Sequence, residues 1–233
     1  MSKMIEKNRI IHALDVENRK KVLEIARSIN DYVDAIKVSW ITFGTILLKE
    51  HRNIIEEIKE VTSLPILACF KVGDIPVVSS RIVQMTINAG ADGVTVHGVV
   101  GRDTVKACID TANKSGVDIF VVTEMSHPGA TEFYQQLGDR IAKMAKEVGA
   151  TGIVAPATRP NRVKRYRQIV GKDLVIISPG IGAQGAQLGD AIKEGANFEV
   201  IGRLIYESQN PAEVARELSQ KLKNRLEEIF VLT

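Results

Sequence analysis

Eight short apolar runs, each followed by a longer segment of helical composition, constrain the fold of this chain more than any other feature. The runs are rich in Val and Ile and are bounded by turn residues, as is typical of parallel strands that are buried on both faces. They occupy residues 9–14, 35–39, 66–70, 93–97, 119–123, 152–156, 174–178 and 198–202. The segments of helical composition are residues 19–29, 45–60, 77–88, 102–114, 131–148, 159–170, 186–194 and 211–228. This strict alternation predicts an α/β protein folded as a (β/α)8 TIM barrel.

The sequence also favours one domain over two. An open, doubly wound sheet is the main alternative to a barrel, but no Gly-x-Gly-x-x-Gly pattern follows the first run. No long linker, low-complexity tract or block of charge divides the 233 residues. We therefore expect a single barrel domain that spans residues 1–233.

The composition argues against several classes of protein. A net charge of +3 is too small to indicate a nucleic-acid-binding surface, and no apolar run reaches the roughly 18 residues that would span a membrane. The first residues lack the apolar core of a secretion signal. Cys69 and Cys108 do not have the spacing of metal ligands and are interpreted as reduced thiols. We expect a cytoplasmic protein without nucleic-acid or membrane partners.

One segment, RPNRVKRYR at residues 159–167, concentrates basic residues. Nucleic-acid binding is one interpretation of such a run. Its charges fall on several faces of the predicted helix without aromatic interleaving, so we interpret it instead as a solvated helix surface.

Polar residues follow most of the predicted strands, at the ends where the catalytic side chains of such barrels lie. Since these ends meet at one rim, side chains from at least six strands converge there. The set consists of Asp15, Lys37, Cys69, Lys71, Asp74, His97, Thr123, Glu124, Ser126, Thr158, Arg159, Ser178, Pro179, Gly180, Gln184, Gly202 and Arg203. We interpret this rim as the functional site.

Two lysines on neighbouring strands are the most informative members of this set. Either Lys37 or Lys71 alone could be a strand-end side chain that extends into solvent. Two of them, with Asp74 nearby, favour a functional role, because buried ammonium groups are costly unless they are paired. His97 is interpreted as a hydrogen-bonded core histidine. His12 and Trp40 are interpreted as packing residues of the core and of the helical shell.

A glycine-rich turn follows the seventh run, with the sequence SPGIGAQG at residues 178–185. Barrels of this class bind phosphate between the loops after strands seven and eight, where backbone N–H groups point inward. Arg203 follows the eighth run and would add a bidentate cation. The sequence therefore predicts a phosphate site; the alternative is a flexible connection with a structural arginine.

Seven short motifs along the chain are similar to those of one enzyme family. They are Ala13-Leu-Asp15, Ile36-Lys37, Lys71-x-x-Asp74-Ile-Pro76, Val96-His97-Gly98, Thr123-Glu-Met-Ser-His-Pro-Gly129, Pro179-Gly-Ile-Gly-Ala-Gln-Gly185 and Ile201-Gly-Arg203. They resemble orotidine 5′-monophosphate decarboxylase, especially its archaeal branch, over nearly the whole chain. The resemblance implies a homodimeric barrel that converts orotidine 5′-monophosphate to UMP in pyrimidine synthesis, with no metal and no cofactor.

The resemblance also implies a role for each residue of the site. Lys71 would protonate C6 of the pyrimidine as the carboxylate leaves, flanked by Lys37 and by an Asp74 that comes from the partner subunit. Lys37 would bind the ribose as well. The implied substrate contacts are Asp15 at the ribose, Ser126 at the pyrimidine edge, Gln184 between base and phosphate, Arg203 at the phosphate, together with Thr123, Pro179, Gly180 and Gly202.

Three positions depart from the family pattern. Cys69 stands where the motif Asp-x-Lys-x-x-Asp has its first aspartate, while Val78 replaces the usual threonine and Leu204 a small polar residue. An engineered substitution, a natural variant of lower efficiency, and a nucleotide-binding protein with little catalysis are three explanations of the cysteine. A thiol beside two ammonium groups is expected to have a lowered pKa, so a thiolate would restore part of the missing charge.

Two other functions compete with this assignment. Sugar-phosphate lyases of the same superfamily, such as hexulose-phosphate synthase and keto-gulonate-phosphate decarboxylase, share the Asp-x-Lys-x-x-Asp element but use Mg²⁺. The segment that begins at Ser126 and the loop that carries Gln184 favour the nucleotide over the sugar phosphate. The second alternative is a non-catalytic UMP-binding protein, which only Cys69 favours; a general phosphate-binding barrel has no specific support.

Overall fold

Eight parallel strands close into a barrel in the computed structural model of this protein, with the strands arranged around it in chain order. The structure describes residues 4–231, and their side chains as far as residue 228. The strands are β1 (Ile10–Leu14), β2 (Ala35–Ser39), β3 (Ile66–Val72), β4 (Gly93–His97), β5 (Asp118–Val122), β6 (Gly152–Val154), β7 (Val175–Pro179) and β8 (Phe198–Ile201). β1 pairs in parallel with both β2 and β8, which closes the barrel and confirms the predicted fold.

Helices surround the barrel and connect its strands. They are α1 (Arg19–Ser28), α2 (Trp40–Glu50), α3 (Ile54–Val61), α4 (Pro76–Asn88), α5 (Arg102–Asn113), α6 (Tyr134–Glu147), α7 (Pro160–Val170), α8 (Asp190–Lys193), α9 (Arg203–Tyr206) and α10 (Pro211–Val231). Short 3₁₀ turns cover Gly98–Val100 and Pro128–Thr131. No helix in the described part of the chain is long and apolar enough to cross a membrane.

The prediction of one continuous helix over residues 45–60 was wrong. His51 has a φ of 53°, in the left-handed region, and this conformation ends α2. The side chain of Asn53 then accepts a hydrogen bond from the backbone N–H of Ile55, at 3.2 Å, and caps the start of α3. Left-handed residues and Asn caps mark helix ends, so the chain turns here despite its uniform helical composition.

A second predicted helix, over residues 186–194, is reduced to the four residues of α8. The preceding residues form a loop with glycines in the left-handed region instead. Gly185 and Gly189 both have a φ of 91°, a conformation that only glycine adopts without strain. These residues therefore extend the loop after β7 and are not part of the helical shell.

The lower part of the barrel interior is filled by apolar side chains. They are Ile11, Ala13, Ala35, Leu67, Phe120, Val122, Val154, Ile177, Phe198 and Val200. Gly152 of β6 has no room for a side chain, since a Cβ there would lie 2.4 Å from the carbonyl oxygen of Val175 and 2.7 Å from the ring of Phe120. The large cavity of the barrel lies toward the carboxyl ends of the strands, where the sequence places its polar residues.

The structure tests the interpretation of His12 and Trp40 as packing residues. His12 is fully buried, as expected, and its Nδ1 lies 3.0 Å from the carbonyl oxygen of Ile201. Burial lowers the pKa of His12 to about 4, so the imidazole is neutral. Trp40 begins α2 in the helical shell, as expected, and its ring packs against Phe43 and Phe70 although half of its surface is exposed.

Candidate active site

A cavity of about 410 Å³ opens at the carboxyl ends of the barrel strands. Ten of the twelve residues to which the sequence assigns a catalytic or substrate-binding place line it. They are Asp15, Lys37, Cys69, Lys71, Ser126, Pro179, Gly180, Gln184, Gly202 and Arg203. Since these residues come from β1, β2, β3 and the loops after β5, β7 and β8, it is the closed barrel that brings them together.

Two predicted residues, Thr123 and Asp74, do not line this cavity. Thr123 is fully buried, and its hydroxyl donates a hydrogen bond to the carbonyl oxygen of Val154 at 2.7 Å. Asp74 is exposed, and its carboxylate accepts a hydrogen bond from the backbone N–H of Ile75 at 2.6 Å. Substrate contact by either side chain stays a prediction, and a contact by Asp74 would have to be made outside the cavity of its own chain.

Lys37 reaches the cavity from the middle of β2. Its side chain is only 13% exposed, and Nζ lies 3.4 Å from the carboxylate of Asp15. Burial opposes the charged form of Lys37, but the negative charges of Cys69 and Asp15 outweigh it, and the pKa of the lysine is raised. Lys37 is therefore a fixed cation in the wall of the cavity.

Cys69 faces this cation from β3, where it pairs with Ser39 of β2. Burial would raise the pKa of the thiol, but Lys37, Lys71 and a hydrogen bond from Thr95 together lower it. Cys108, in contrast, is buried among apolar residues of α5, and burial raises its pKa to about 12. The site thus favours a thiolate at Cys69 while Cys108 stays protonated.

Alkylation is expected to distinguish the two thiols. Since iodoacetamide reacts with the thiolate, the rate at Cys69 should rise at a lower pH than that of an ordinary thiol, which ionises near about pH 8.5. Cys108 should be unreactive over the same range. Mass spectrometry of the two peptides after timed labelling from pH 6 to 10 measures both rates, with a Cys108→Ser variant as control. A rate at Cys69 that still rises steeply above pH 8.5 would show an ordinary thiol.

Lys71 enters the cavity through a local irregularity of β3. The pairing of β3 with β4 shifts register between Ala68 and Val72, and Lys71 has a φ of 47°. Its backbone N–H donates a hydrogen bond to the hydroxyl of Thr95 at 2.9 Å. A non-glycine residue in the left-handed region is strained, and such strain persists where the surroundings fix it, often at functional sites. The bulge turns Lys71 into the cavity beside Cys69.

The loop after β7 forms the opposite end of the cavity. It folds back on itself through a hydrogen bond from the N–H of Gly182 to the carbonyl oxygen of Ala186, at 2.9 Å. Gly182 must be glycine, because a Cβ there would lie 2.3 Å from Leu204. Arg203 begins α9 beside this loop, and its guanidinium donates a hydrogen bond to the carbonyl oxygen of Ala183 at 3.4 Å. The loop and the arginine thus lie together at this end of the cavity, where a guanidinium could pair with an anion.

Sequence reasoning missed Glu199, which holds the far end of this loop. Glu199 is fully buried on β8 and accepts hydrogen bonds from the N–H groups of Gly189 and Ala191, at 2.8 and 3.0 Å. Burial raises its pKa to about 7, although these N–H groups act in the opposite direction. The sequence did contain a signal for this residue, because an acidic residue stands inside the apolar run FEVIG.

His97 does not line the cavity. Its Nδ1 is hydrogen-bonded to the hydroxyl of Tyr134, at the start of α6. Burial, followed by the charge of Lys71, lowers the pKa of His97. This pairing agrees with the interpretation of His97 as a hydrogen-bonded histidine, and it links β4 to the chain that follows β5.

The interpretation of residues 159–167 as a solvated surface was wrong for several of its arginines. Arg159 and Arg162 form ion pairs with the fully buried Glu124, at 2.7 and 2.9 Å. Arg167 donates hydrogen bonds to the carbonyl oxygen of Gly195 and to the side chain of Asn197. Their partners lie 28 to 38 residues away, so the sequence pattern of the helix could not reveal them.

Comparison with known proteins assigns the family. A profile of the orotidine 5′-phosphate decarboxylase / HUMPS family matches residues 8–218. The chain belongs to this family. A curated relative named orotidine 5′-phosphate decarboxylase, from Methanococcoides burtonii, is 48% identical over 94% of this chain and 99% of its own. The relative of the same name from Thermococcus kodakarensis is 43% identical over 94% of this chain and 98% of its own.

Solved structures of the decarboxylase family have the same fold. Orotidine 5′-monophosphate decarboxylase from Methanocaldococcus jannaschii, in complex with the inhibitor BMP, is 42% identical, with a TM-score of 0.85 over 92% of this chain and 98% of its own. The enzyme from Pyrococcus horikoshii is 40% identical, with a TM-score of 0.82 over 92% of this chain and 99% of its own. These relatives are archaeal-type decarboxylases of pyrimidine biosynthesis, as the sequence motifs indicate.

Proposed function

We propose that this protein removes CO₂ from orotidine 5′-monophosphate to give UMP in de novo pyrimidine synthesis. The observation that carries the proposal is the cavity, in which two lysines face a glycine-rich loop and an arginine across one open space. A base and a phosphate at the two ends of one small molecule would match this arrangement. Full-length relatives that are orotidine 5′-phosphate decarboxylases support the same substrate.

The proposed chemistry needs only groups that the chain supplies. The bond from C6 to the carboxylate breaks, CO₂ leaves, and the electron pair stays on C6 as a vinyl carbanion. Lys71 transfers an Nζ proton to C6 and regains one from solvent. The carbanion has no adjacent electron sink, so the two fixed ammonium groups of Lys71 and Lys37 would stabilise the charge as it develops.

The rest of the substrate would be held by residues remote from C6. Contacts to the phosphate and to the ribose would provide binding free energy that orders the loop and the charged groups around the base. The proposed contacts are Asp15 and Lys37 at the ribose, Ser126 at the pyrimidine edge, Gln184 between base and phosphate, Arg203 at the phosphate, with Thr123, Pro179, Gly180 and Gly202 around them.

A homodimer with Asp74 contributed across the interface is part of the proposal. Asp74 is exposed and lies outside the cavity of its own chain, which agrees with a role in the partner's site. Apolar side chains surround it at the start of α4, where Ile75 is 60% and Val77 53% exposed. Exposed apolar groups around a charged residue are typical of an interface between subunits.

We propose further that Cys69 lowers the rate of the reaction. In the family motif an aspartate stands at this position, and a thiol group carries its negative charge less completely than a carboxylate. Val78 and Leu204, which also depart from the family pattern, lie on α4 and α9. Cys69 is also the one feature that favours the second candidate function, a UMP-binding protein without turnover.

Loss of orotidylate absorbance with the purified protein, in the presence of excess EDTA, tests the function. Turnover that EDTA does not change is expected, because the proposed chemistry uses no metal. Turnover that requires Mg²⁺, or activity on a sugar phosphate in place of the nucleotide, would assign the protein to the sugar-phosphate lyases of the superfamily. UMP binding without turnover of orotidylate would establish the second candidate.

A further inference from the structure

The chain after β5 brings Met125, Ser126 and His127 into the cavity. We call residues 123–129 the Ser126 segment. It contains no strand, and its only regular structure is the start of the 3₁₀ turn Pro128–Thr131. A side chain that reads the edge of a base must be held within a fraction of an ångström, so other contacts have to fix this segment.

One residue of the segment, Glu124, is hydrogen-bonded to three side chains of the chain after β6. We call Glu124, Arg159, Arg162 and Tyr166 the Glu124 cluster. The two oxygens of Glu124 accept hydrogen bonds from Nε of Arg159 at 2.7 Å and from Nε of Arg162 at 2.9 Å. The hydroxyl of Tyr166 donates a third, at 2.5 Å. The cluster thus joins the residue before Met125 to the first two turns of α7.

The cluster makes no contact with the cavity, because none of its four residues lines it. Glu124 is completely buried, and a buried carboxylate is costly even when it is paired. Ion pairs of this kind often contribute little net stability, so stability alone is a weak reason for their presence. Fixing one arrangement of the surrounding chain is the role that remains.

Two hydrogen bonds connect the residues that precede α7 to the backbone of the Ser126 segment. The guanidinium of Arg159 also donates to the carbonyl oxygen of Met125. The hydroxyl of Thr158, the preceding residue, donates to the carbonyl oxygen of Ser126 at 3.0 Å. The position of Ser126 therefore depends on where Glu124 holds the start of α7.

Tyr166 is the most distant member of the cluster and is fully buried. Burial, followed by the contact with Glu124, raises the pKa of its hydroxyl, which stays a proton donor. Arg162 donates a hydrogen bond to the same hydroxyl at 2.7 Å. Gly138 of α6 leaves room for it, since a Cβ there would lie 2.0 Å from the hydroxyl oxygen. Residues of α6, of α7 and of the segment after β5 therefore all contact the hydroxyl group of Tyr166.

We propose that the Glu124 cluster positions Ser126, so that recognition of the base depends on Tyr166 and Arg162, two residues that do not touch the ligand. The identity of the base rests on the proposed function, whereas the positioning of the segment does not. Tyr166 and Arg162 are positioning residues in this sense and take no part in the chemistry.

Tyr166→Phe is the central variant of the test, since it removes one hydroxyl and keeps the ring in place. Arg162→Lys is a second variant that weakens the cluster, because it keeps the positive charge but loses the contact with Tyr166. Lys164→Gln is the matched control, because Lys164 lies on the same helix and pairs at the surface with Glu194, which is not a partner of the cluster. Thermal unfolding of each variant shows that it is folded.

Hydrogen–deuterium exchange without ligand measures the positioning directly. We expect faster exchange in the Ser126 segment of Tyr166→Phe and Arg162→Lys, and no change in Lys164→Gln. Exchange in α1 (Arg19–Ser28), on the other side of the barrel, serves as the internal reference and should not change. Unaltered exchange of the Ser126 segment in both cluster variants would overturn the proposal, whatever the ligand of the protein is.

Calorimetric titration measures the effect on recognition. Affinity for UMP is expected to fall about three- to tenfold in Tyr166→Phe, the loss that corresponds to about one weakened hydrogen bond from Ser126. Affinity for ribose 5-phosphate, which has no base, should not change. In a Ser126→Ala background, Tyr166→Phe should have no further effect, since both act through one contact.

Equal losses for the two ligands, or additive losses in the double variant, would contradict a role through Ser126. Absence of UMP binding in the unmodified protein would contradict the proposed function instead, and the exchange experiment would still decide the positioning.

Discussion

The Cys69→Asp variant is expected to decarboxylate orotidine 5′-monophosphate about 10²- to 10³-fold faster than the protein with cysteine. A carboxylate beside Lys37 and Lys71 would be fully ionised at neutral pH and would fix both ammonium groups by short hydrogen bonds. A preorganised charged group of this kind stabilises a transition state by about 3–4 kcal/mol. Loss of orotidylate absorbance at saturating substrate measures the two rates side by side.

Two further substitutions separate the charge of Cys69 from its size. Cys69→Ser replaces the ionisable thiol by a neutral hydroxyl and should be slower than the unmodified protein, because the pKa of Cys69 is lowered and its thiolate supplies part of the charge. Cys108→Ser should leave the rate unchanged. Equal rates with Cys, Ser and Asp at position 69 would show that no anion is needed there. If none of them turns over while all bind UMP, the protein is a nucleotide-binding protein.

The barrel and most of its cavity could be predicted from the sequence because both depend on short-range patterns. A strand buried on two faces needs a continuous apolar run, and the residue after such a run must lie at the rim. The run at 66–70 became the strand Ile66–Val72, so that Lys71 lies within the strand and not after it. This difference arises from the bulge between Ala68 and Val72, which depends on the register with β4.

The parts that could not be predicted depend on contacts between distant residues. Glu124 was recognised as a polar residue at the rim, but its partners Arg159 and Arg162 were interpreted as a solvated surface. Nothing in the spacing of the arginines indicates a buried carboxylate 35 and 38 residues earlier. The role of Glu199 was missed for the same reason, since the loop that it holds looked like the start of a helix.

Electrostatics explains why the two lysines can share one wall of the cavity. Two ammonium groups repel each other, and burial opposes the charged form of Lys37, so anions lying beside them stabilise the pair. Asp15 supplies an anion for Lys37, at 3.4 Å. Cys69, on β3, interacts with both lysines. Within the cavity of one chain, this leaves Lys71 with less negative charge near it than Lys37 has. A carboxylate from a partner subunit, as proposed for Asp74, would correct that imbalance.

Lys71→Ala is expected to lower kcat/KM for orotidine 5′-monophosphate by about 10⁴-fold or more. The substitution removes both the acid that protonates C6 and a cation that stabilises the carbanion, and each effect alone is worth about 10²-fold or more. Affinity for UMP should change much less, because the proposed contacts to ribose and phosphate come from β1, β2 and the loops after β7 and β8. Turnover assays together with calorimetric titration of UMP separate the two quantities.

Controls with other lysines and with arginine make this test specific. Lys114→Ala, at an exposed position after α5, should leave the rate unchanged. Lys71→Arg keeps a cation in the cavity but not an acid, since a guanidinium does not give up its proton at neutral pH. If Lys71→Arg is as inactive as Lys71→Ala, proton transfer from the lysine is required. If Lys71→Ala keeps most of the activity, another group protonates C6, and the role proposed here for Lys71 is wrong.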